Sequence, residues 1–118
     1  MTIKERPELL HGKTQKAKTG CGNLYVTLNL DGDQPAEVFI RLGKAGGCAS
    51  SQSEALGRLI SIALRHGATL EDVIHQLRGI GCHTPVFTGM GNKNFSCADA
   101  VANTLSSMYE LKVESTEK

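Results

Sequence analysis

The sequence has no tryptophan and only two tyrosines and three phenylalanines, so aromatic side chains cannot dominate its core. Leucine, isoleucine, valine and alanine must fill the interior instead. The sequence also lacks an excess of charge of one sign, since its formal net charge is only +1 at pH 7. We therefore expect no surface built for nucleic acid.

Long apolar runs are absent as well. No segment approaches the roughly 20 consecutive apolar residues of a membrane span. The mostly polar stretch Thr2–Glu8 lacks the apolar core of a signal peptide. We therefore expect a cytoplasmic protein with no membrane partner. In a reducing cytoplasm, its four cysteines suit metal binding, redox chemistry or simple burial better than structural disulfides.

The chain of 118 residues has the length of one domain. We divide it into a polar N-terminal arm over residues 1–15, a folded domain over residues 16–111 and a charged C-terminal tail over residues 112–118. No internal repeat is visible.

Alternating hydrophobic residues predict an antiparallel β-hairpin in the first half of the domain. Every second residue is apolar from Leu24 to Leu30 and again from Val38 to Leu42, which is the period of a half-buried strand. The intervening Asp31–Asp33 segment, Asp-Gly-Asp, is a strong turn signal. Lys16–Thr19 could add a third strand.

Three later segments show the three- and four-residue spacing of amphipathic helices. Each begins with serine or threonine followed three residues later by an acidic residue, which is the pattern of an N-terminal cap. The pairs are Ser51 and Glu54, Thr69 and Asp72, and Ser96 and Asp99. The residues expected to face the core are Leu56, Leu59, Ile60, Ala63, Leu64, Leu70, Val73, Ile74, Leu77, Val101, Leu105 and Met108.

The segment 83–95 is rich in glycine and asparagine, and we expect a loop there. The fold class that follows is α+β, with a small antiparallel sheet packed against about three helices. No Ser-His-Asp or Cys-His arrangement is recognisable, so we assign no catalytic residue.

The cysteines are the main candidates for chemistry. They are Cys21, Cys48, Cys82 and Cys97, and no two of them form a CxxC pair. All four lie at the ends of predicted elements, and three stand next to glycine. Glycine lets backbone amides approach a thiolate, and a helix N-terminus favours the thiolate at Cys48 and Cys97.

Two interpretations of the cysteines stay open at this point. If the fold brings all four together, they suit one tetrahedral zinc site. If it does not, they are separate small buried residues, which is common for free cysteine. His83 could replace one thiolate as a ligand, although an exposed loop position explains it more simply.

The loop Gly43–Gly47, Gly-Lys-Ala-Gly-Gly, permits a different function. A lysine and a run of amides precede a helix there, and such an arrangement can bind phosphate. It is not a Walker A motif, because the final Gly-Lys-Ser/Thr is missing. The candidate anion ligands are Gly43, Lys44, Gly46 and Gly47, and a tight strand-to-helix turn is the simpler alternative.

Five segments taken together are similar to one known family. They are Thr19–Thr27, Gly43–Cys48, Glu54–Ile60, Gly79–Cys82 and Ser96–Ala100. In this order they resemble the TSCPD domain, the C-terminal module of adenosylcobalamin-dependent, class II ribonucleotide reductases. The resemblance spans about residues 16–110. Ala98 stands where the family name implies proline, and alanine also suits the first turn of a helix.

The resemblance implies an accessory or regulatory module without a complete catalytic centre. The radical chemistry of the reductase belongs to a barrel far larger than this chain. Cobalamin would enter only through a separate catalytic subunit or domain, and the partner would be a ribonucleoside-diphosphate reductase chain that supplies DNA replication. Cys21, Cys48, Cys82 and Cys97 would then form one site, with zinc as the metal.

Two other functions compete with this one. The chain could be a small homo-oligomeric binder of a nucleotide-like anion that uses the loop Gly43–Gly47, or it could be a thiol redox protein. We also expect self-association, because the edges of a small sheet need cover.

Overall fold

The computed structural model describes residues 3–43, 47–89 and 91–117, with side chains up to residue 109. Its elements are β1 (His11–Thr19), β2 (Gly22–Asp31), β3 (Gln34–Leu42), α1 (Gly47–Arg65), α2 (Leu70–Leu77), β4 (Val86–Gly89), β5 (Asn92–Asn94) and α3 (Cys97–Glu117). The first three strands form one antiparallel sheet in the order β1-β2-β3, and β4 pairs with β5. The predicted α+β class is therefore confirmed.

Two tight turns connect the strands of the three-stranded sheet. Thr19 pairs with Gly22, which leaves two residues in the first turn. Asp31 pairs with Gln34 around the second turn, where Gly32 adopts a φ of +61° that favours glycine. The hairpin predicted from alternation is confirmed.

The third strand is also confirmed, but β1 begins at His11 rather than at Lys16. The side chains of its first six residues are exposed, so this part of the strand has no apolar alternation that could have identified it.

At the other end of the chain, α3 continues past Leu111 to Glu117. The division into arm, domain and tail remains a prediction.

One face of the sheet and the inner sides of the helices share a single core. Its buried members are Leu24, Val26, Leu28, Val38, Ile40, Leu42, Ile60, Leu64, Leu70, Val73, Ile74, Ala100, Val101, Ala102 and Leu105. They include the predicted inner face of the hairpin and most of the predicted helix stripes. Leu77 and Met108 pack against this core while partly exposed.

Helix α1 differs most from its prediction. It begins at Gly47 rather than at Ser51, so the proposed capping box is wrong. Ser51 lies inside the first turns, where its Oγ donates to the Cys48 carbonyl at 3.1 Å. The Glu54 carboxylate accepts from Arg58 on the helix surface at 2.7 Å. Leu59, predicted to face the core, is 65% exposed.

Helix α1 covers the free edge of β3. The Ser61 hydroxyl accepts from the Val38 amide at 3.0 Å and donates to the Val38 carbonyl at 2.9 Å. Gly57 lies against the same strand, since a Cβ added there would be 3.2 Å from the Ile40 nitrogen. This edge therefore has the cover that isolated sheet edges need.

For the other two predicted helix starts, the hydroxyl part of the predicted cap is confirmed. The Thr69 hydroxyl accepts from the Asp72 amide at 3.1 Å, and the Ser96 hydroxyl accepts from the Asp99 amide at 3.1 Å. Both are N-cap hydrogen bonds.

The segment 83–95, predicted to be a loop, contains the hairpin β4–β5.

The N-terminal segment packs along α1 and β3. The Lys4 amide donates to the Arg65 carbonyl at 3.1 Å. Two nitrogens of Arg6 donate to the carboxylate of Glu37, which is only 2% exposed. Residues 4–6 therefore belong to the packed structure.

Candidate functional site

Cys21 occupies the turn between β1 and β2, and Thr19 organises this turn. The buried Thr19 hydroxyl accepts from the Cys21 amide at 3.1 Å and donates to the Gly22 carbonyl at 2.8 Å. Gly20 packs against the segment that follows Cys82, because a Cβ at Gly20 would overlap the carbonyl and hydroxyl of Thr84. Only glycine allows the turn to approach that segment so closely.

Cys97 is the first residue of α3 and lies beside the same threonine. Its Sγ is 3.6 Å from the Thr19 hydroxyl. The same hydroxyl accepts from the Cys21 amide, so Thr19 contacts both cysteines. Partial burial raises the pKa of the Cys21 thiol, and the neighbouring Cys97 and then Cys82 raise it further, because like charges disfavour a second thiolate.

Cys82 lies in the segment between α2 and β4. Its amide donates to the Phe95 carbonyl at 2.9 Å. The Thr84 hydroxyl and the Thr84 amide lie 3.5 Å and 3.4 Å from the Cys82 Sγ, and these two contacts lower the pKa of the thiol. Hydrogen bonds to the sulfur favour the thiolate, which is the reactive and metal-binding form.

Cys48 is exposed in the first turn of α1. The strand that precedes it ends near the turn of Cys21, since the Gly43 amide donates to the Asn23 carbonyl at 2.7 Å. Among the described side chains, Cys48 forms no disulfide with another cysteine. In the residues that the structure describes, no three histidine, cysteine or acidic side chains form a group that could hold a metal ion.

The structure therefore brings together part of the predicted cysteine site. Cys97 and Cys82 lie close enough to Cys21 to raise the pKa of its thiol, whereas Cys48 is only at the same end of the sheet. His83, the alternative ligand, is exposed next to Cys82. Thr19, which contacts two of the cysteines, was not singled out in the sequence, and a threonine at the end of a strand carries no distinctive signal.

A family model describes nearly the whole chain. The model of the TSCPD domain matches residues 1–109. The chain belongs to the TSCPD domain family. No curated protein and no solved structure shows a significant match to it. Membership supports the interpretation of the chain as an accessory module related to ribonucleotide reductases.

The segment Ser96–Ala100 of this TSCPD domain forms the start of α3. Ala98 lies in the first helical turn, so the alanine keeps the helical conformation that a proline would also allow there. The helix start presents Cys97 to Thr19, and the departure from the family name leaves this contact in place.

The glycine loop of the TSCPD domain falls partly outside the described residues. Lys44 and Gly46 lie among residues 44–46, which the structure does not describe. Gly43 follows β3 and donates its amide to the Asn23 carbonyl, and Gly47 begins α1 with a φ of +82°. Anion binding at this loop remains a prediction.

Asp99 has a larger role in the TSCPD domain than the predicted helix cap. One carboxylate oxygen accepts from the Gly79 amide at 2.7 Å, and the other accepts from the Phe95 amide at 2.9 Å and from the Asn103 side chain at 3.2 Å. Asp99 thereby joins the end of α2, the end of β5 and α3.

No helix in the described part of the chain is long and apolar enough to cross a membrane.

Proposed function

We propose that this TSCPD domain is a non-catalytic accessory module of a cobalamin-dependent ribonucleotide reductase. The family match over residues 1–109 carries the proposal. The module acts by associating with the catalytic chain, and the radical chemistry and the cobalamin belong to that chain. No residue of this domain is assigned a catalytic role.

The proposal includes a zinc ion held by Cys21, Cys48, Cys82 and Cys97. The chemistry of the donors fits, because thiolates are preferred ligands of zinc. Thr19 contacts both Cys21 and Cys97, and Cys97 and Cys82 raise the pKa of the Cys21 thiol; both observations support convergence. A cation beside these sulfurs would remove the penalty for ionising neighbouring thiols.

In this proposal the zinc site is structural. When bound, zinc would cross-link the β1–β2 turn, the start of α1, the segment before β4 and the start of α3. Thr19 and Thr84 support the site by hydrogen bonds to the cysteine backbone or sulfur. Four protein ligands leave no open position on the metal, which is typical of a structural site.

The association is tested with a reductase catalytic chain that lacks its own C-terminal domain. We expect the chain to co-elute with this protein on size-exclusion chromatography, and we expect nucleotide reduction to change when the protein is added. The reductase without the protein and the reductase with a protein of equal size provide the controls. Separate elution together with unchanged activity would overturn the proposal.

Self-association is a second part of the proposal. The exposed Phe39 and Ile62 side chains line the same groove between β3 and α1, and a second copy could cover them. Light scattering at tens of micromolar tests this part, and a monomer under these conditions would contradict it.

Nucleotide binding by the loop Gly43–Gly47 remains an alternative that no further observation favours.

A further inference from the structure

A groove of about 1040 Å³ lies on the face of the domain formed by β1, the β4–β5 hairpin and α3. Its floor is held by buried side chains. The Asn94 side chain donates to the Lys18 carbonyl at 2.7 Å and accepts from Asn103 at 3.0 Å. This network joins β1, β5 and α3, so the walls of the groove are fixed relative to one another.

The charges lining the groove are almost all positive. Among the described side chains that line it are those of Lys16, Lys18, Arg78 and Lys93, and Asp99 is the one carboxylate among them. Asp99 is 2% exposed, and both of its oxygens already accept hydrogen bonds from amide groups. With the described side chains, none of the four cations forms a salt bridge.

Aromatic rings line the hairpin side of the groove. Phe87 is 70% exposed and Phe95 is 42% exposed, so both rings are open to a ligand. The Lys93 ammonium lies 5.1 Å from the centre of the Phe87 ring and 5.3 Å from that of Phe95. Both rings therefore stand beside a cation.

We propose that this groove binds a nucleoside polyphosphate. Its phosphates would contact Lys16, Lys18 and Arg78, because several cations that line one groove recognise clustered negative charge. Its flat base would stack on Phe87, as bases stack on exposed aromatic side chains. Lys93 would exchange its contacts with the rings for a phosphate. Gly43, Gly47 and the four cysteines are not among the residues that line the groove.

Isothermal titration with ATP, inorganic tripolyphosphate and adenosine tests the assignment. Because both the phosphates and the base contribute, ATP should bind about tenfold or more tightly than either fragment. Lys16→Gln should weaken binding of ATP and of tripolyphosphate by about tenfold. Phe87→Leu should weaken binding of ATP alone and bring it towards that of tripolyphosphate.

Two matched variants control for general effects of charge and hydrophobicity. Lys13→Gln removes an exposed lysine of the same strand that does not line the groove, and Phe39→Leu changes an exposed phenylalanine on β3. Both should leave the affinity for ATP unchanged, and circular dichroism should show that all four variants fold.

Three outcomes would overturn the proposal. One is no measurable binding of ATP at about 1 mM, the weakest range of specific small-ligand binding. Another is binding that the groove variants and the control variants reduce equally. The third is tighter binding of a single-stranded oligonucleotide than of ATP with the same dependence on Lys16 and Phe87, since that would identify nucleic acid as the ligand.

Discussion

Arg6 holds the carboxylate of Glu37 with two hydrogen bonds, from Nε at 2.8 Å and from Nη2 at 3.1 Å. This two-point contact connects the N-terminal segment to β3 across 31 positions of sequence. Asn29 donates to the same carboxylate at 2.7 Å, and Arg65 approaches it to 3.8 Å. The buried negative charge of Glu37 therefore has three partner residues, which a buried charge needs to be stable.

These partners make stability depend on pH in a definite direction. Arg6 first, and then Asn29 and Arg65, lower the pKa of Glu37 against the opposing effect of burial. A lowered folded-state pKa means that the contribution to stability is complete above the unfolded value of about 4.3 and is lost as pH falls through the lower folded value.

We predict that Arg6→Gln lowers the free energy of unfolding at pH 7 and that the difference from wild type shrinks as pH falls below about 4. Urea unfolding between pH 7 and pH 3 measures it. Lys4→Gln is the control, because its ion pair with Asp31 is exposed and contributes little. A difference that stays constant with pH would show that Glu37 and Arg6 are not electrostatically coupled.

A second prediction concerns Gly57, where α1 meets β3. Alanine is a better helix former than glycine by about 1 kcal/mol, but a Cβ here would lie 3.2 Å from the Ile40 nitrogen and 3.3 Å from the Val38 carbonyl oxygen. Backbone atoms within a sheet cannot easily move away, so we expect Gly57→Ala to destabilise the protein by about 1–2 kcal/mol. Thermal unfolding checks this, and a higher melting temperature would contradict it.

A third prediction concerns Asp99. Asp99→Asn keeps the shape but replaces one acceptor oxygen by a donor, which would face the amide of Gly79 or of Phe95. We expect a loss of about 1–3 kcal/mol, typical of an unsatisfied buried group. Hydrogen exchange should accelerate at the Gly79 and Phe95 amides. Asp72→Asn on the exposed surface of α2 is the control, and equal effects of the two variants would refute the role assigned to Asp99.

The sequence predicted the elements whose signals are local. The hairpin from Leu24 to Leu42 alternates strictly, and the caps at Thr69 and Ser96 need only a hydroxyl and a nearby amide. The β4–β5 hairpin was missed because its strands are four and three residues long. The hairpin is also held by residues far away in the sequence. The hydrogen bond from Asn94 to the Lys18 carbonyl, for example, joins residues 76 positions apart.

Prediction of the site was limited for the same reason. The four cysteines could be located at the ends of elements, but their distances depend on how those elements pack. The contact of Cys97 with Thr19 spans 78 positions. The start of α1 was predicted four residues too late because Ser51 and Glu54 imitate a capping box, so the prediction placed Cys48 outside the helix.

The last prediction concerns zinc. Protein purified without chelator should contain about one equivalent of zinc if the cysteines form one closed site. Cys97→Ser should lose the metal and destabilise the fold by more than the roughly 1 kcal/mol of an average substitution, because ligation is coupled to folding. Elemental analysis and thermal unfolding, each before and after chelation, provide the measurements.

His83→Ala is the matched control, since His83 is exposed beside Cys82 and is the alternative ligand. Its zinc content should equal that of wild type, and a loss would instead place an imidazole in the site. Less than about a tenth of an equivalent of zinc in the wild type would refute the metal site, because a folding-coupled structural zinc is retained through purification. In that case, oxidation that joins Cys21 to Cys97 would favour the redox function, because Thr19 contacts both residues.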